Sequence, residues 1–96
     1  GDNINAKEAE RIGLVNKVVS VEELMNESFA LAKKIASNGQ LAVRFCKAAI
    51  NMGIDIDIER GMTYEAEVFG LCFNTHDQKE GMTAFIERRK PKFLGK

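Results

Sequence analysis

Few side chains in this sequence could carry chemistry. Paired carboxylates can exchange protons, so each acidic pair matters. Asp55 and Asp57 stand two apart near an expected helix start, where negative charge is favourable in any case. Glu65 is more unusual. It lies three residues after Met62 and four before Phe69, on an expected apolar helix face. A carboxylate buried there must be paired or hydrogen-bonded. We expect a structural ion pair with Arg44, Lys47 or Arg11, with an intersubunit contact as the alternative. The single histidine, His76, has no Ser, Cys or carboxylate at triad or zinc spacing and reads as a surface or first-turn residue. Cys46 and Cys72 cannot hold a metal alone and read as reduced core thiols of a cytosolic protein. No glycine-rich phosphate loop occurs, and Gly81 stands isolated in a helical stretch. These residues define no catalytic group and no metal site.

The elements that would position them are helical. Asn5 and Glu8 form a capping box that starts a first helix, which Gly13 stops. Leu14 to Val19 is β-branched and reads as an extended connector or a short edge strand. Ser20 and Glu23 form a second box, followed by apolar residues at Leu24, Leu31, Ala32 and Ile35. Asn38-Gly39 ends that helix. The third helix covers Gln40 to Met52 and is apolar nearly all round, with Arg44, Lys47 and Asn51 as its polar stripe. Such a helix needs partners on several sides.

The fourth helix, expected from Asp55 to Asn74, is the longest. Ile58, Met62, Phe69, Cys72 and Phe73 share one face, and Gly61 and Gly70 leave room for another backbone. The last helix starts near Thr75, with Gln78 completing its box, and stops before Pro91. The tail KFLGK reads as irregular. This pattern is an all-α domain of four to five helices over residues 1–96, with a short extended connector.

Composition bounds the function. At 45% apolar and 29% charged, the chain is globular in composition. Fourteen basic and fourteen acidic residues cancel, which argues against nucleic acid as a bulk-charge partner. From Lys79 to Lys96 the net charge is nevertheless +4. This is a solvated end or a phosphate-contacting edge. No apolar run approaches the ~20 residues of a membrane span. The polar opening GDNINAKEAE is unlike a signal peptide. A start at Gly1 rather than Met suggests a piece of a longer protein.

Four stretches carry a family resemblance. Gly1 to Val19 reads G-D-x-I-x-A-K-E-A-x-x-x-G-L-V-x-K-V-V, and Ala42 to Asn51 reads A-V-R-x-x-K-x-A-I-N. Glu65 and Phe69 follow. Thr75, Asp77, Glu80, Gly81, Met82, Ala84, Phe85, Glu87, Arg88, Arg89, Pro91, Phe93 and Gly95 complete the match. Together they resemble the C-terminal helical portion of crotonase-superfamily enzymes, most like short-chain enoyl-CoA hydratases.

The resemblance implies the trimerisation and lid region of the crotonase fold, without the N-terminal ββα spiral core. The parent enzyme would reversibly hydrate short-chain 2-enoyl-CoA to 3-hydroxyacyl-CoA in fatty-acid metabolism. Its two catalytic glutamates and its oxyanion hole would lie upstream of Gly1. This chain would supply oligomerisation, as a trimer or a dimer of trimers, and closure of the CoA site. No cofactor is implied beyond the coenzyme A thioester substrate, and no membrane partner.

Phe85 would lie against the CoA adenine, and Arg88, three positions on, would contact a CoA phosphate. The spacing would put both on one helix face. The family often has lysine at the second position. Arginine keeps the charge and changes reach and geometry. Gln40 replaces a common proline and should loosen its turn. The alternatives are a sister reaction such as enoyl-CoA isomerisation, or a helical interaction module that binds no CoA.

Overall fold

Three of the five helices start where a short polar side chain satisfies an otherwise unpaired N–H group. Asn5 Oδ1 accepts from Glu8 N–H at 2.9 Å, opening α1, Ala6–Arg11. Gly13 ends it with φ 76°. Gly13 N–H donates to Glu10 O and Leu14 N–H to Ala9 O, at 3.0 and 2.8 Å, which is a Schellman cap. The following connector is irregular and forms no strand. Its Val18 N–H donates to Glu10 Oε1 at 3.1 Å.

The structure, a computed structural model, describes residues 1–96. It divides into two units, Gly1–Ala32 and Lys33–Lys96. In the first, Ala9 is the one buried apolar residue. Lys17 Nζ reaches Glu27 Oε2 at 2.6 Å. Ser20 Oγ accepts from Glu23 N–H at 3.3 Å, as its box requires. That bond closes a turn, and α2 begins one residue later, Leu24–Ala36. No residue of α2 is buried, so Leu24, Phe29 and Leu31 lie open within this chain.

The second unit holds α3 (Gln40–Asp55), α4 (Ile58–Cys72) and α5 (His76–Ile86). The expected break at Met52 is not observed. Gly53 stays helical, and α3 rather than α4 is the longest helix. The reason lies in packing. A Cβ on Gly61 would come within 3.8 Å of Gly53 Cα, so the two glycines mark a close approach of α3 and α4. Gly70 has nothing within 4 Å of its Cβ position and does no such work. Asp57, not Asp55, caps α4, accepting from Arg60 N–H at 3.0 Å. Thr75 Oγ1 accepts from Gln78 N–H at 3.0 Å and opens α5.

Gln40 ties its turn rather than loosening it. Its side-chain amide donates to Ala36 O and Asn38 O, both at 3.1 Å. The first is a carbonyl that the end of α2 leaves free.

The core is thin. Val68 and Ala84 are the buried apolar side chains of this unit, and no large side chain is fully buried. Hydrophobic helix faces with nothing on them are the dominant surface feature, as the nearly all-apolar third helix required. No helix is long and apolar enough to cross a membrane.

Candidate functional site

The expected site residues Phe85 and Arg88 lie at the end of α5. The helix stops at Ile86, and Arg88 takes φ 54°, the only non-glycine residue with positive φ. Arg88 N–H donates to Phe85 O at 3.2 Å and Arg89 N–H to Ala84 O at 3.0 Å. These are the two bonds of a Schellman cap, as after α1, but with arginine where glycine is usual. A left-handed conformation costs an L-residue with a Cβ about 1–2 kcal/mol. The expected shared helix face of Phe85 and Arg88 is therefore not found. Arg88 lies beyond the helix, and a tight turn links it to Phe85.

Phe85 is 83% exposed and forms no part of a core in this chain. Ile86 beside it is 76% exposed. Arg88 is exposed and enters no ion pair, whereas its neighbour Arg89 enters two. An uncovered ring and an uncommitted cation thus stand three residues apart, one on the last turn of a helix and one on a fixed turn.

The tail that follows is irregular, as expected, and is tied to α5 by side-chain bonds. Arg89 Nη1 and Nη2 donate to the two oxygens of Glu80 at 2.6 and 2.8 Å, a bidentate pair. Lys92 N–H donates to Glu80 Oε1 at 2.7 Å. Further along, Leu94 N–H and Gly95 N–H donate to Asp77 Oδ1 and Oδ2 at 2.7 and 2.8 Å. Asp77 N–H in turn donates to Lys96 O at 3.3 Å. Two carboxylates on α5 thus strap the tail along the helix. Phe93 lies against Gly81, where a Cβ would stand 3.4 Å from the ring, so Gly81 makes room for it.

The electrostatics follow from these bonds. Hydrogen bonding from Arg89, then from the Lys92 amide, holds the Glu80 carboxyl at about 2, well below its usual 4.5. Glu80, followed by Glu87, raises Arg89 still further above its usual range. Burial pushes the Asp77 carboxyl up, but the Leu94 and Gly95 amides with His76 outweigh it, and the net direction is down. His76 Nδ1 stands 3.5 Å from Asp77 Oδ1, on the first turn as expected. The sequence did not single out Asp77 and Glu80 as the residues that strap the tail. Their three-residue spacing on one helix, ahead of a basic tail, was the available signal.

A second feature is an apolar groove of about 430 Å³ between α3 and α4. Phe45, Ile50, Met62 and Phe69 line it, with both cysteines. The cysteines are free, Cys46 exposed and Cys72 partly so, and Cys46 is not the core residue expected. Glu65 also lines the groove. Its expected ion pair does not form. Arg11 is bonded to Glu8, and neither Arg44 nor Lys47 enters an ion pair. Glu65 is exposed and keeps its water, so within this chain it needs no partner. Nowhere do three potential metal ligands converge.

The whole chain, residues 1–96, matches the enoyl-CoA hydratase/isomerase family, and the protein belongs to that family. It is similar to a crotonyl-CoA hydratase of Syntrophomonas wolfei, with 62% identity over 99% of this chain and 36% of that protein. It is likewise similar to a short-chain-enoyl-CoA hydratase of Clostridium acetobutylicum, with 57% identity over 92% of this chain and 34% of the relative. Among solved structures, an enoyl-CoA hydratase subunit I of Geobacillus kaustophilus superposes with a TM-score of 0.91 at 48% identity. That match covers 97% of this chain and 36% of the other. The chain thus spans about a third of the length of the curated relatives it matches. The five helices without a strand are the arrangement expected for the C-terminal helical region of the crotonase fold.

Proposed function

We propose that the complete protein is an enoyl-CoA hydratase that reversibly adds water to short-chain 2-enoyl-CoA, with these 96 residues closing the CoA site and joining subunits. The identity to relatives named crotonyl-CoA hydratase and short-chain-enoyl-CoA hydratase supports the reaction. The catalytic carboxylates and the oxyanion donors belong to other parts of that protein. Here the carboxyls of Glu8, Asp77 and Glu80 are held below their usual values, which suits structural anions rather than a general acid. The acyl-CoA is substrate, and the reaction as proposed uses no cofactor. We place the enzyme in the cytoplasm, where two unpaired cysteines stay reduced.

One observation carries the site reading: Phe85 is 83% exposed beside an Arg88 that has no ionic partner. An aromatic face offers stacking to a purine, and a free guanidinium offers a fork to phosphate. CoA carries both groups on its nucleotide end. The open faces of α2, α3 and α4 support assembly into a homo-oligomer, since large apolar patches mark interaction surfaces.

The test is substrate kinetics on the complete enzyme. Phe85→Ala and Arg88→Ala should each raise KM for crotonyl-CoA roughly fivefold to tenfold and lower kcat less. Contacts to the handle are alike in ground and transition states. Variants that keep the parental KM and lose only kcat would refute the assignment.

A further inference from the structure

We infer that Glu80 is a positioning residue for the CoA handle: through Arg89 and the Lys92 amide it holds the left-handed turn that aims Arg88. The inference rests on Arg88 meeting a CoA phosphate, as proposed above.

Residue 88 has no intrinsic reason to stay where it is. Its φ of 54° is unfavourable for any residue with a Cβ, so the surroundings must hold it. Two groups of bonds bracket it. On the helix side, the amides of Arg88 and Arg89 are tied to Phe85 O and Ala84 O. On the tail side, the Arg89 guanidinium and the Lys92 amide are both tied to Glu80, and Arg89 Nε also donates to Glu87 Oε2.

On the helix side, the Arg89 N–H to Ala84 O bond forms only when residue 88 is left-handed and so favours that state. The tail-side bonds act in the same direction. Glu80 sits on the rigid body of α5 and is largely buried, its side chain 15% exposed. It fixes residues 89 and 92 independently of the residue between Glu87 and Arg89. With both flanks held, the intervening backbone has little choice but the tight turn. Glu80 enters no ion pair with Arg88 and therefore acts on it through the chain. Its low carboxyl pKa keeps the clasp charged across the working pH range.

Asp77 supplies the control. It straps the same tail at Leu94 and Gly95, beyond the turn. Loosening it should cost stability without re-aiming Arg88.

The experiment uses the complete enzyme, with KM and kcat for crotonyl-CoA and the Kd of free CoA by calorimetry. Arg88→Ala sets the scale, roughly fivefold to tenfold in KM. Glu80→Gln should raise KM and Kd about threefold to fivefold with a smaller change in kcat. In the Arg88→Ala background, Glu80→Gln should add nothing, because its effect passes through the missing side chain. Asp77→Asn should lower Tm yet leave KM within about twofold of the parent.

If Glu80→Gln keeps the parental KM while Arg88→Ala raises it, the positioning role is refuted and the handle reading stands. The role is equally refuted if Glu80→Gln keeps its full effect without Arg88, or if Asp77→Asn raises KM as much. Should Arg88→Ala keep the parental KM, the handle reading falls and this inference with it. Where Glu80→Gln does not fold, Arg89→Lys carries the same test, since lysine keeps the charge and loses the bidentate fork.

Discussion

The backbone N–H of Arg89 donates to the carbonyl of Ala84 at 3.0 Å, and this bond requires the left-handed backbone at Arg88 between them. Ring and cation are thereby held in register by a turn, not by the pitch of a helix. The turn repeats the geometry after α1, where Gly13 occupies the corresponding position. Glycine adopts it freely, and arginine does not. An arginine at this unfavourable backbone position fits the role proposed for its side chain.

Arg88→Gly should therefore stabilise the protein while damaging it as an enzyme. Relief of the left-handed strain, reduced by the greater freedom of glycine in the unfolded chain, leaves a gain of about 1 kcal/mol. KM for crotonyl-CoA should rise as in Arg88→Ala. Thermal melting and kinetics on the same preparation check both halves. A variant that melts lower than the parent would show that residue 88 carries no strain.

The ring and the cation should also separate by salt. A charge contact is screened as ionic strength rises, and a stacking contact is not. KM of the parent should increase between low and high salt. Arg88→Ala should flatten that dependence, whereas Phe85→Ala should keep the parental slope at a higher KM. Titrating sodium chloride through both variants reads the difference.

What was legible in the sequence was local. The boxes at Asn5/Glu8 and Thr75/Gln78 each place an acceptor three residues from its N–H donor, and both form. The α3–α4 boundary was misread because Gly53 and Gly61 meet only once the helices pack. The tail's attachment to α5 was not legible because Lys92, Leu94 and Gly95 find their acceptors 12, 17 and 18 residues back. Such pairings leave no periodic trace. Phe85 stood out only through the family resemblance.

Acid should release the strap in a defined direction. Glu80 is held at about 2 when folded against a usual 4.5. A depressed carboxyl stabilises the fold above its unfolded pKa, and that stabilisation fades as pH falls through the folded value. The contribution is thus full above about pH 4.5 and lost toward pH 2. Asp77 is shifted in the same direction and adds to the trend. Glu80→Gln should lower Tm by roughly a few degrees at neutral pH. It should also flatten the decline of Tm below pH 4.5, which melting curves across that range resolve.

The two glycines of α4 should respond differently to alanine. At Gly70 a methyl meets nothing within 4 Å, so Gly70→Ala should gain about 1 kcal/mol of helix propensity in the isolated chain. At Gly61 a methyl just reaches van der Waals contact with Gly53. Gly61→Ala should be close to neutral, whereas Gly61→Leu should force α3 and α4 apart and cost about 1–3 kcal/mol. Chemical denaturation of the three variants ranks them.

The isolated 96-residue chain should associate with itself and should not turn over crotonyl-CoA. Its exposed residues include Ile50, Met62 and Phe69, which lie along one groove of about 430 Å³. Covering such a surface gains about 25 cal/mol per Å² of apolar area, and that gain drives association. Met62→Lys places a charge in the middle of the groove and should shift the chain toward monomer, because a buried unpaired ammonium is costly. Sedimentation at several concentrations reads the shift. A chain that remains a compact monomer in the parental form would show that these faces need no partner. Measurable hydration by a preparation free of other enzyme would place catalytic groups among these residues, contrary to the site proposed here.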